Sequence, residues 1–369
     1  KRDVTIVDSE EDSKGNMLFA TPPGLLQKNK NNQYDSFLPE KDSASRDNIV
    51  NDIKIAANDN LWLSTRGGLY YFDTKTQVFK AYLNNPNNSN SISTNEVYVT
   101  HLNQDGTIWV GNDLSLDLLD QETGNFKHYR TNPSFSATNV NSILSIINDE
   151  FGNIWVGSVN GLYRMDTISG QFIETLKVAY IGVNSIFEDG RNKIWLGTYR
   201  GLWVKSPGTN DFTQFQDSVG LIPTNLVVGE ITEDKDHLIW MTTYNGLIRL
   251  NPETKNAVLF GKSWDINPQT LYWSIYTSLA GEIFLGDRAG YYHFFPKDLN
   301  QPDGNLSNLF LNKLYIDNNE VIPGSNNILP KQLSQMQKIT LNYLQNNFTL
   351  EFNNIDYLTD PSEKNVLYK

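Results

Sequence analysis

Seven short segments of this chain repeat one another at spacings of 40 to 47 residues, each with a large apolar anchor at the same place. The anchors are Leu18, Trp62, Trp109, Trp155, Trp195, Trp240 and Phe284. Their surroundings read GNMLFATPPG, DNLWLSTRGG, GTIWVGNDLS, GNIWVGSVNG, NKIWLGTYRG, HLIWMTTYNG and GEIFLGDRAG. A period of about 40–50 residues built from short strands marks a propeller, in which each repeat is one blade. Seven copies predict an all-β chain folded as a seven-bladed β-propeller. The scaffold residues of such a ring recur, so function is sought where the copies differ.

The fourth copy, Asn141 to Thr175, shows the unit. Ile143 and Ile146 mark a first strand, and Asp149 to Gly152 a polar turn. Asn153 to Gly157 is a second strand carrying Trp155, and Ser158 to Gly161 another turn. Leu162 to Met165 and Gln171 to Thr175 complete four antiparallel strands, joined by the turn Asp166 to Gly170.

The register holds across copies. Twelve residues before the anchors stand Ile6, Val50, Val97, Ile143, Val183, Val228 and Tyr272. Nine before stand Ile53, Ile146, Ile186, Ile231 and Ile275, with Ser9 and Thr100 as exceptions. Six after stand Gly24, Gly68, Gly161, Gly201, Gly246 and Gly290, with Ser115 as the exception. A recurring glycine implies positive φ, where a Cβ would clash, so the third copy is expected to turn differently. Because the anchors recur in every copy, they are read as packing between blades rather than stacking on a ligand; each buried indole removes about 150–250 Å2 from water. The D-x-x-G-x-I-W text resembles the Asp-box turn of sialidases, which implies a structural hairpin remote from chemistry.

The formal charge of −12 and the lack of any basic run exclude nucleic acid and anionic lipid as main partners. Cysteine is absent, which removes disulfides, thiolate metal sites and cysteine nucleophiles together. No stretch approaches the ~18 apolar residues of a membrane span. The first residue is Lys1 and no signal peptide is visible, so the chain reads as an excised fragment whose membrane anchor lies outside it.

The repeats end near Pro296. Pro296 to Ser307 reads as a linker. LFLNKLYIDNNEVIPG then reads as a hairpin turning at Asp317-Asn318-Asn319, and KITLNYLQNNFTLEFNNIDYL as two strands joined at Gln345-Asn346-Asn347. About 60 residues remain after Ser307, whereas an immunoglobulin-like sandwich takes about 100. The expected organisation is a propeller over residues 1–300 and a truncated β-sandwich over 301–369. The seventh copy lacks a clear fourth strand after Phe295; that blade is either short or completed by Asn308 to Ile316.

The repeats resemble those of the regulator-propeller family, N-x-V-x-x-I-x-x-D-x-x-G-x-I-W-I-G-T-x-x-G-L-x-x-Y-D, and Asn141 to Asp166 matches almost throughout. Ile328 to Leu358 resembles the opening half of the Y_Y_Y domain that follows such propellers. The pair implies a periplasmic sensor of a one-span inner-membrane receptor. The output, outside this chain, is most often a hybrid two-component histidine kinase and in other bacteria a diguanylate cyclase. The resemblance further implies an oligosaccharide or other small-molecule ligand and a homodimer in the full-length receptor.

An enzymatic reading lacks its residues. Propeller sialidases need an Arg cluster and a Tyr nucleophile with an acidic partner, whereas Arg is sparse here and only Arg66, Arg200 and Arg288 share a register. The four histidines, His101, His128, His237 and His293, occupy unrelated registers and have no metal-ligand spacing. No G-x-S-x-G, phosphate loop or dinucleotide fingerprint occurs. No catalytic residue, metal or cofactor is assigned.

Ligands bind concave mouths with a few placed polar groups. The turns between second and third strands ring one mouth of the channel, and they vary: Thr65-Arg66, Asn112-Asp113, Val159-Asn160, Tyr199-Arg200, Tyr244-Asn245 and Asp287-Arg288. Trp264 and Trp273 stand outside the anchor column. The candidate ligand-binding residues are therefore Arg66, Asn112, Asp113, Asn160, Tyr199, Arg200, Tyr244, Asn245, Trp264, Trp273, Asp287 and Arg288. Their mixture suits carbohydrate hydroxyls and acidic sugars, with tyrosines to stack on a pyranose. Two other readings stay open: a protein-interaction or dimerisation scaffold, and a glycan-cleaving enzyme, which needs two close carboxylates.

Overall fold

The computed structural model describes residues 4–42, 44–56, 58–103, 105–129, 142–166, 169–176, 181–209, 211–261, 264, 266–299, 309–317, 319–324, 328–331, 333, 338–342, 345 and 347–354. The chain divides into two compact units, Lys1–Asp298 and Leu299–Lys369.

In the first unit, seven antiparallel sheets follow one another, six of four strands and the last of three among the described residues. Their inner strands are Asp8–Glu11, Val50–Ile55, Val97–Leu102, Ile143–Asn148, Val183–Glu188, Val228–Glu233 and Leu271–Thr277. Each inner strand adjoins the next, and the last adjoins the first, so the sheets close into a ring. The fold is a β-propeller. Numbered as blades in chain order, blade four comprises Ile143–Asn148, Ile154–Ser158, Gly161–Asp166 and Gln171–Leu176.

Position in the ring explains the composition of each strand. The second strand of every blade, such as Leu61–Thr65 or Ile194–Thr198, is buried at all five positions. Blades cover it on both faces, so it reads as a continuous apolar run rather than an alternating one. An outer strand such as Val78–Tyr82 meets solvent and is mixed.

All seven anchors are at most 4% exposed. Each packs onto the following blade: Leu18 with Val50 and Ile53, Trp62 with Val97 and Ile108, Trp109 with Ile143 and Ile146. Trp155 joins Val183 and Ile186, Trp195 joins Val228 and Ile231, and Phe284 joins Ile6 and Phe19 of blade one. Trp240 lies 5.6 Å from the ring of Phe294 in blade seven. Truncating such a side chain costs about 3–5 kcal/mol.

The D-x-x-G-x-I-W text is a structural knot. Asp149, Asp189 and Asp234 each accept two turn N–H groups and, at 2.7–2.8 Å, the Nε1–H of Trp155, Trp195 or Trp240 six residues on. The turn glycines adopt positive φ as expected, from +82° at Gly201 to +150° at Gly68 and Gly161. At Gly246 a Cβ would lie 2.6 Å from the Phe260 carbonyl. Blade three does turn differently: Asn112 Oδ1 accepts the N–H groups of Leu114 and Ser115.

Neighbouring blades are also joined by a position that hydrophobic patterning does not register. Ten residues before each anchor, a polar side chain reaches across the seam. Asp8 accepts from the Ile53 N–H, Asp52 from Thr100, Ser145 from Ile186 and Glu230 from Ile275, at 2.8–3.0 Å. Ser185 donates to the Gly229 carbonyl, and Ser274 meets the Ser9 hydroxyl. Val99 is the exception.

Three expectations need correction. Leu271, not Tyr272, pairs with Asp287 and so holds the first strand position of blade seven; three residues lie between Leu271 and Ile275 where two lie between Val228 and Ile231. Leu309–Ile316 does not complete blade seven: it pairs with Phe348–Asn354 and Asn319–Glu320 in the second unit. Of the two strands expected from KITLNYLQNNFTLEF, Phe348–Asn354 forms, and among the described residues Lys338–Asn342 is not a strand. The described part of the second unit is this one three-stranded sheet, with Leu314, Val321, Leu329 and Leu333 in its core. In the expected linker, Pro296–Asp298 forms a 3-10 turn and residues 300–307 lie outside the described residues.

Candidate functional site

The inner strands enclose an axial channel of about 500 Å3. Its wall carries four carboxylates, Asp8, Glu10, Asp52 and Glu230, and one ammonium, Lys54. Lys54 Nζ lies 2.9 Å from Glu10, 3.0 Å from Asp52 and 3.9 Å from Asp8. Burial opposes the Lys54 charge, but Asp52, Glu10 and Asp8 together hold its proton firmly. Burial pushes Asp52 up to about 7 against the pull of Lys54. Burial, then the charge of Asp8, raises Glu230 well above the usual carboxylate range. Burial, and next the charge of Lys54, pushes His101 down to about 4, so its imidazole is neutral. A larger groove of about 820 Å3 lies off the axis, between blades seven and one, lined by Leu25, Leu26, Tyr34, Tyr291 and their neighbours. It is more apolar; the polar channel lies on the ring axis.

One end of the channel carries an aromatic cluster. The inner strands start opposite the residues preceding the rim turns: Val183 pairs with Thr198, Val228 with Thr243 and Leu271 with Asp287. Residues just inside those starts therefore share an end with the turns. Trp273 is one of them. Its ring centroid lies 6.3 Å from Tyr199 of blade five and 5.7 Å from Tyr244 of blade six. Tyr199 is 39% exposed and Tyr244 62%. Three candidates from three blades thus meet at the mouth.

The other candidates do not join them. Trp264 packs edge-on against Phe260, which stacks on the anchor Trp240. Asn112 is fully buried; its amide serves the turn and donates to Asp117, so it is withdrawn as a ligand residue. Asp113 is half-buried, and its Oδ1 has no hydrogen-bond partner among the described residues. Asp287 is buried, accepts from the Ala289 N–H through Oδ1, and leaves Oδ2 without a partner among the described residues. Four other blades place Thr there, each hydroxyl donating to the glycine carbonyl three residues on; a carboxylate cannot. Arg66 lies 3.9 Å from Glu96, which also pairs with Arg46. Asn160, Arg200, Asn245 and Arg288 are exposed on their turns.

The histidines occupy four separate settings. His237 pairs with Glu233 and His293 with Glu282. His128 meets Ser93 and Asp117 through the same nitrogen, Nδ1, at 2.8 Å each. A serine triad needs acid and serine on opposite nitrogens, so this cluster is a polar brace around the blade-three turn. Among the described residues no group of His, Asp and Glu could hold a metal.

The geometry defines a β-propeller with a polar axial channel and an aromatic mouth. The two component regulator propeller model matches residues 138–160, most of which fall in the fourth copy. No curated protein sequence matches it. Among solved structures, the ring is similar to the extracellular domain of the putative hybrid two component system BT4673 from B. thetaiotaomicron, with TM-score 0.65 and 21% identity over 79% of this chain and 38% of that one. The extracellular domain of BT3049 gives TM-score 0.65 and 23% identity, over 79% of this chain and 40% of that one. This chain thus spans about two-fifths of the length of these domains. Virginiamycin B lyase from Staphylococcus aureus shares the ring too, with TM-score 0.62, 14% identity, and 79% and 95% covered. At these identities the likeness establishes the fold. No helix among the described residues is long and apolar enough to cross a membrane.

Proposed function

We propose that this chain is the periplasmic ligand-sensing part of an inner-membrane receptor of the hybrid two-component histidine kinase type, and that it binds a carbohydrate at the channel mouth. The observation that carries the reading is the meeting of Tyr199, Trp273 and Tyr244 from three successive blades at one exposed rim. Aromatic side chains kept at a concave, polar-lined mouth are suited to a ligand with apolar faces and many hydroxyls. The regulator-propeller match and the two extracellular receptor domains support the setting. The ligand acts by favouring one arrangement of two receptor protomers, which requires different affinity for the two arrangements.

The test is calorimetric titration of the chain with a panel of oligosaccharides, repeated with Trp273→Ala and Tyr244→Ala. Binding that both substitutions weaken at least about tenfold is expected. Failure of every glycan to bind, while the full-length receptor still responds to one, sinks the reading and leaves the ring as a scaffold.

A further inference from the structure

We propose that the mouth formed by Tyr199, Tyr244 and Trp273 takes an ammonium group, so that the sugar it selects is an amino sugar with a free amine. The inference rests on the carbohydrate reading above and narrows its ligand.

The first ground is ring geometry. The planes of Tyr199 and Tyr244 are inclined to that of Trp273 by 60° and 51°. Rings so tilted form a corner rather than one flat platform. A corner of this kind attracts a compact cation through the ring quadrupoles.

Charge is the second ground. Asp8, Glu10 and Asp52 share Lys54, whereas Glu230 has no cation within 4 Å among the described residues. Glu230 is also the carboxylate tied to the aromatic mouth. It follows Gly229, which abuts the Trp273 side chain, and its Oε2 accepts the N–H of Ile275, two residues beyond Trp273.

The third ground is an acceptor without a donor. Asn184 lines the same channel from blade five. Its Nδ2 donates to the Val228 carbonyl at 2.8 Å, which fixes the amide, and its buried Oδ1 has no partner among the described residues. An ammonium brings three donors and no acceptor. A carboxylate, an amide oxygen and inclined aromatic faces are the complement of that group, and neutral hydroxyls do not require it.

Burial raises Glu230 well above the usual carboxylate range. Tyr98, Tyr276 and neutral His101 also face this space, and each keeps its uncharged form. The incoming R–NH3+ favours the carboxylate form of Glu230, so a proton held there leaves to solvent, and no covalent bond changes.

The experiment compares three β-1,4 tetramers that differ only at C2: glucosamine, N-acetylglucosamine and glucose. Calorimetry in two buffers of different ionisation heat reports affinity and proton release together. The glucosamine tetramer should bind at least about tenfold tighter than the others and release protons. Glu230→Gln keeps the bond to Ile275 and should remove both the preference and the proton release; Tyr244→Ala, on an exposed ring, should weaken the amine selectively. Equal affinity for the three tetramers, or binding of neutral glycans alone, overturns the ammonium inference and leaves the carbohydrate reading standing. Absence of binding by every glycan overturns both.

Discussion

A Cβ at Gly229 would stand 2.8 Å from Cγ of Trp273 and 3.0 Å from its Cβ. The bare backbone of blade six is what lets the indole of blade seven lie across it. The extra residue between Leu271 and Ile275 supplies the slack that carries Trp273 there. A Cβ would also meet the Thr242 hydroxyl at 2.6 Å, so Gly229→Ala is expected to shift both it and the indole, costing about 1–3 kcal/mol through overpacking and weakening glycan binding about tenfold. Indole fluorescence, a melting curve and a titration check it together. Unchanged binding would show that the seat of Trp273 does not matter.

Trp109 has a buried Nε1–H with no partner among the described residues. The indoles of Trp155, Trp195 and Trp240 donate to an aspartate six residues upstream, but blade three has Asn103 there, whose Oδ1 is taken by Asn148 Nδ2 at 2.9 Å. Asn103→Asp should supply the missing acceptor and stabilise the chain by about 1 kcal/mol. A lower urea midpoint in this variant would contradict the account.

Removing such an acceptor should do the reverse. Asp189→Ala strands the N–H groups of Arg191 and Lys193 and the Trp195 indole at once. A loss of about 3 kcal/mol is expected in urea unfolding, since buried unpaired groups cost about 1–3 kcal/mol each. A loss below about 1 kcal/mol would mean that the turn is held by other contacts.

Stability should fall as pH rises from 5 to 8. Asp52 and Glu230 have folded pKa values above their unfolded ones, chiefly through burial. Their contribution is complete below the unfolded values near 4 and is lost as pH rises through the folded ones, near 7 for Asp52. Each linked proton changes stability by about 1.4 kcal/mol per pH unit. Glu230→Gln should flatten part of that slope. A profile rising from pH 5 to 8 would reverse the assignment.

The ring was legible in the text because its anchors and turn glycines keep one residue type at one spacing. The polar reach across the seams was not, since Asp8, Ser145 and Glu230 share an oxygen and a direction rather than a residue class. Tyr199, Tyr244 and Trp273 could each be named from the sequence, yet their meeting depends on the angular positions of three blades. Tyr272 was misplaced because one inserted residue slips the count, and Asn112 because its loop position hides how fully its amide serves the turn.

The third and fourth blades meet where Val99 offers Ile146 only methyl groups. Six seams carry this inner clasp, and the seventh is tied instead by Asn148 Nδ2 donating to Asn103 Oδ1. Amide exchange at Ile146 should outpace that at Ile53, Thr100, Ile186 and Ile275, and Val99→Ser should slow it. The opening of this circle, under heat or pull, is then directional from its first moment.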